Sequence, residues 1–128
     1  MGRYYWGDIE GKFMFAVQPS DAGERFGAEM VEERILTDDD HCIDYVVKRD
    51  KYDFISKELE DIESTGIVDR INDMFEKHQY GYNDKILKEF KITDQDMQNY
   101  ADHRLGKKII EYFDNFPKES ACYFEAEL

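Results

Sequence analysis

The sequence predicts an α+β fold: a mostly antiparallel sheet with about four helices packed on one face. Three patterns carry that prediction. Short alternating apolar segments separated by turn residues run to about Arg49, and from Lys51 apolar residues recur at helical spacing. The final stretch, ACYFEAEL, then returns to strict alternation. Read in order, ββββ-αααα-β makes two N-terminal hairpins and a C-terminal strand, with strands and helices segregated along the chain.

The first hairpin is read from RYYWGDIEGKFMFAVQ, residues 3–18. Strands over 3–9 and 12–18 meet across Glu10, Gly11 and Lys12, with Gly11 supplying the positive φ of a tight turn. Phe13, Phe15 and Val17 share one face of the second strand and Met14 and Ala16 the other, so that strand is expected to be central and covered on both sides. Its neighbour carries Tyr4, Trp6 and Asp8 on one face and Arg3, Tyr5 and Gly7 on the other. With Asp8 at the rim, Tyr4 and Trp6 are expected to face the core and Tyr5 to face outward.

Pro19 ends the hairpin, and Ser20 or Asp21 can cap a short helical turn before Gly27. EMVEERIL and CIDYVVKR then flank TDDDH, a second hairpin with an acidic turn. Tyr52, Ile55, Leu59 and Ile62 mark a first helix, and Ile67, Ile71, Met74 and His78 a second, with Ser64 or Thr65 as its N-cap. A shorter helix over Asp84–Lys91 follows. Thr93 caps a long one whose buried stripe is Met97, Ala101, Leu105, Ile109, Tyr112 and Phe116, with Pro117 just beyond. In the last strand Cys122, Phe124, Ala126 and Leu128 face one way and Tyr123, Glu125 and Glu127 the other.

The 128 residues fit one domain, 1–128, with no repeat, linker or low-complexity segment. Hydrophobic content of 41% and 15% aromatics exclude a disordered acidic tail. No apolar run reaches the ~18 residues of a membrane span, and no export signal opens the chain, so a cytoplasmic protein with reduced, buried Cys42 and Cys122 is expected. Thirty acids against 17 bases leave a net charge of −13, which repels nucleic acid and anionic membranes and attracts basic proteins. The charge is concentrated. Residues 24–44 hold eight acids and two bases, and residues 51–63 five acids and two bases.

Catalytic and metal signatures are weak throughout. Asp8 and Glu10, two apart on an extended backbone, stand about 6.8 Å from each other, a spacing that suits a divalent ion or a scissile bond but equally the rim of a turn. Asp38, Asp39 and Asp40 lack the spaced ligands, the central Gly and the terminal Glu of a calcium loop. No zinc spacing, serine elbow or nucleotide-binding glycine pattern occurs, and Cys42 and His41, adjacent on a strand, point to opposite faces. No catalytic residue, metal ligand or cofactor is assigned.

Two binding sites are assigned instead. Arg3, Tyr5, Trp6 and Asp8 offer an aromatic shelf with charges at its edge. Beside it Ser20, Asp21 and Arg25 of the SDAGERFG loop suit an anion, which together would hold a small ligand such as a nucleotide. Glu29, Glu32, Glu33, Asp38, Asp39, Asp40 and Asp44 form the acidic patch expected to meet a basic partner. The opening GRYYWGDIEGKFMFAVQPSD resembles the N-terminal segment of small uncharacterised proteins of bacteriophages and large DNA viruses, over about the first 27 residues. That resemblance implies a viral accessory or counter-defence protein acting on a host factor, and no reaction. The leading expectation is a non-enzymatic protein that binds a basic protein, the alternative a small-ligand binder.

Overall fold

A computed structural model describes residues 3–14, 17–35, 41–79 and 81–128. Five strands form one antiparallel sheet: β1 (Tyr4–Gly7), β2 (Gly11–Lys12), β3 (Glu29–Ile35), β4 (His41–Lys48) and β5 (Ala121–Glu127), in the order β2-β1-β5-β4-β3. Four helices follow the second hairpin: α1 (Tyr52–Ser64), α2 (Ile67–Lys77), α3 (Asp84–Glu89) and α4 (Asp94–Asn115). The fold is α+β, as expected, with both N-terminal hairpins and the last strand in place.

The central strand is β5. It pairs with β1 through Tyr5–Ala126 and Trp6–Glu125, and with β4 from Cys42–Glu127 to Lys48–Ala121. Its inward set, Cys122, Phe124 and Ala126, is buried and joins Tyr5, Tyr45 and Val47 beneath Ile55 and Leu59 of α1 and Leu105, Ile109 and Phe113 of α4. α2 and α3 do not rest on the sheet. They close a second core, in which Ile71, Met74 and Leu87 pack around Met97 and Tyr100 of α4.

The first hairpin departs from expectation in three ways. Its turn lies on Asp8–Glu10, and Gly11 has no positive φ; Gly7 does, at 134°. The second strand is an edge of two residues. After Lys12 the chain folds into a turn in which the Gln18 N–H bonds Met14 O and the Gln18 side chain accepts the Met14 N–H. Phe13 still reaches the core, while Phe15 and Ala16 lie outside the described residues. Finally, β1 has the opposite facing. Tyr5 is 3% exposed and Tyr4 49%, because Tyr5 pairs with Ala126 on the helix side of β5.

Helix ends follow local chemistry. The Thr93 hydroxyl accepts the Asp96 N–H and the Asp96 carboxylate accepts the Thr93 N–H, a complete capping box for α4. α2 starts at Gly66, with Thr65 Oγ1 accepting the Ile67 N–H, so Thr65 helps the turn without being the cap itself. On α4 the buried stripe ends at Phe113; Phe116 lies past the helix and is exposed.

Candidate functional site

Helices cover one face of the sheet and leave the other bare. Residues paired across antiparallel strands share a face, so the register places Trp6, Asp44, Val46, Tyr123, Glu125 and Glu127 together on the open side. β3 adds Glu29 opposite Val46, Glu32 opposite Asp44, and Arg34 opposite Cys42. The ladder slips between Met30 and Glu32, an irregularity that leaves Val31 beside Trp6 and Tyr123.

A groove of about 380 Å³ runs across this face, walled by Trp6, Val31 and Tyr123 and edged by Asp8, Asp44 and Glu125. Asp8 is held there by two backbone links. Its N–H donates to Tyr123 O and its carboxylate accepts the Tyr123 N–H, both at 2.9 Å. Arg34 bridges Asp44, at 3.2 Å, and Glu125, fixing both carboxylates side by side. Lys48 pairs with Glu29 at 3.6 Å near the margin. Six carboxylates thus face two bases on one side of the sheet. The excess is negative, and Trp6 and Tyr123 give it an aromatic wall.

The expected residues divide three ways. Trp6, Asp8, Glu29, Glu32 and Asp44 meet on the open face. Glu33 is on the same strand but pairs with Ile43, so it points to the other side, 3.9 Å from His41. Asp38, Asp39 and Asp40 lie outside the described residues.

The residues expected to form a small-ligand shelf do not come together. Tyr5 is in the core. Arg3 donates to Ser20 Oγ at 2.6 Å and to Gln18 O, while Ser20 donates to Glu127 O at 2.6 Å, tying the loop to the end of β5. Arg25 binds Glu58 at 3.2 Å, Asn99 at 2.8 Å and the buried Asp102 at 2.9 Å. Burial raises the Asp102 carboxyl above its ordinary value, and the hydrogen bonds from Arg25 and Gln18 oppose that rise. Asp21 remains exposed, and its side chain caps nothing. These polar groups act as staples between loop, sheet and α4.

Groups for covalent or metal chemistry are not poised. Burial, with the Asp8 charge nearby, pushes the Cys122 thiol up to about 12, so it stays protonated at neutral pH. Asp8 and Glu10 sit in a turn rather than on a strand, and both are exposed. Among the described residues no three of His, Cys, Asp and Glu converge on a point that would hold a metal ion, and no helix is long and apolar enough to cross a membrane.

Sequence reasoning missed Arg34, Tyr123 and Glu125. The alternation in ACYFEAEL contains the signal for the last two, since it already separates Tyr123 and Glu125 from the buried set. The chain matches no family model, no curated protein and no solved structure.

Proposed function

We propose that this is a non-enzymatic binding protein whose open sheet face engages a basic protein segment. One observation carries the reading: the groove that joins the aromatic walls of Trp6 and Tyr123 to the carboxylates of Asp8, Asp44 and Glu125. An Arg or Lys side chain entering it meets a negative edge and an aromatic ring at once, a pairing worth more than either contact in open water. The surrounding excess of carboxylates steers such a partner from a distance and makes its association salt-sensitive. Resemblance of the opening segment to small viral proteins supports a host factor as that partner.

Trp6 is the only tryptophan, so its fluorescence reports directly on the groove. An Arg- and Lys-rich peptide titrated at low salt is expected to shift Trp6 emission saturably, while a neutral peptide of equal length leaves it unchanged. Asp44→Asn with Glu125→Gln is expected to weaken binding at least about tenfold, with less salt dependence. Equal affinity for the neutral peptide, or a basic peptide that binds without touching Trp6 emission, defeats the reading.

A further inference from the structure

A second cavity lies on the helix side of the sheet. It measures about 390 Å³ and lies between the β1–β2 hairpin and α4, lined among others by Tyr5, Phe13, Ala101, Arg104 and Lys108. Among the described residues no carboxylate lines it, in a chain where acids outnumber bases 30 to 17. An adjoining depression shares Arg104 and Lys108 and adds Lys107 and Glu111. Arg104 and Lys108 are four apart on α4 and so lie on one helix face, where like charges repel. Neither they nor Lys107 forms an ion pair among the described residues.

The second observation is Tyr5. Its side chain is almost wholly buried, with the hydroxyl reaching the cavity beside Lys108. The hydroxyl and the Lys108 ammonium converge over Gly11, in the very space a side chain at that position would fill. Lys108 is held in place by donating to Glu10 O at 2.7 Å and by lying 5.1 Å above the Tyr5 ring. Glycine in ordinary backbone conformation here lets the Lys108 ammonium and the Tyr5 hydroxyl approach the backbone where a Cβ would clash with both.

We propose that this cavity is a binding site for a phosphate-bearing small molecule. Arg104 supplies a planar fork, Lys108 a point charge and Tyr5 a neutral hydroxyl donor, all lining one cavity. A tetrahedral oxyanion accepts from several directions at once, whereas a carboxylate accepts mainly in its own plane. Phe13, Met14 and Ala101 offer an apolar wall to whatever the phosphate is attached to, and the volume falls within the range of small-ligand sites. The net negative charge of the molecule does not forbid this, because screening limits it to about 8 Å at physiological salt while the local donors are in contact. The site is independent of the open face, so either assignment can fail alone.

Calorimetric titration of the whole chain with inorganic phosphate, pyrophosphate and adenosine monophosphate tests the proposal. At least one probe is expected to bind saturably with a one-to-one stoichiometry. Arg104→Gln with Lys108→Met is expected to abolish binding, and Tyr5→Phe to weaken it about tenfold, as for loss of one hydrogen bond to a charged group. Gly11→Ala, whose Cβ would displace the Lys108 ammonium and the Tyr5 hydroxyl, is expected to block it too. Circular dichroism on each variant shows that the fold is kept, and the double variant changes only exposed or half-exposed side chains. Tighter binding of adenosine monophosphate than of phosphate identifies an organic phosphate as the ligand class; equal affinity identifies the free anion. No saturable binding of any probe up to about 10 mM at low salt, or binding that the double variant leaves intact, overturns the proposal.

Discussion

Tyr5 and Trp6 are adjacent on β1, and their partners on β5 decide what each does. Tyr5 pairs with Ala126 and packs against Phe13, ring centroids 5.0 Å apart, and against Phe124 at 6.2 Å. Trp6 pairs with Glu125 and walls the open groove. Truncating Tyr5 leaves a cavity among rings, while truncating the partly buried Trp6 removes a side chain at the open face. Tyr5→Ala is expected to destabilise the chain by about 3–5 kcal/mol in urea unfolding, and Trp6→Ala by clearly less. Binding of the basic peptide should show the reverse order. A Trp6→Ala chain as unstable as Tyr5→Ala would mean that the facing of β1 is wrong.

α4 is the element on which both cores depend, since it contributes Leu105, Ile109 and Phe113 to one and Met97 and Tyr100 to the other. It comes close enough to its neighbours that a Cβ on Gly106 would lie 2.7 Å from the Phe26 ring and 2.8 Å from Leu59 Cδ2. Alanine is worth about 1 kcal/mol over glycine inside a helix, but overpacking costs about 1–3 kcal/mol. Gly106→Ala is therefore expected to lower the urea midpoint despite its better helix propensity. An unchanged or raised midpoint would show that Phe26 and Leu59 yield freely. Much at this scale is legible in the residues themselves. The capping box at Thr93, the spacing of Ile55, Leu59 and Ile62, and the alternation of Cys122, Phe124 and Ala126 are local patterns, and each lies where its pattern says. The facing of β1 is not legible, because Tyr4, Tyr5 and Trp6 place aromatics on both sides and periodicity has nothing to separate. Nor is the extent of β2, which ends where Gln18 folds back on Met14, a contact without a period. The acids Glu29, Glu32 and Asp44 stand out as charge, but their meeting with Trp6 and Glu125 depends on β5 entering between β1 and β4.

Across the whole molecule, acids outnumber bases 30 to 17. Carboxylates crowd the bare sheet face, and Arg104, Lys107 and Lys108 gather without ion pairs on the helix side. The net charge of −13 opposes compactness. Added sodium chloride is expected to raise the thermal midpoint by screening that self-repulsion; a midpoint that falls with salt would show that ion pairs such as Arg25–Asp102 outweigh it. The position of β5 has a further consequence, for the way the chain is made. The two hairpins share no ladder of their own, and the strand that joins them comes after every helix, with Asp8 meeting Tyr123 across 115 residues. During synthesis, both hairpins must wait as separate pieces until β5 emerges, and closing so long a loop favours late, slow completion. Trp6, Asp44 and Glu125 come from three strands that only β5 unites, so no nascent or half-folded chain presents the groove. On the proposed function, capture by a basic partner would thereby be reserved for finished molecules.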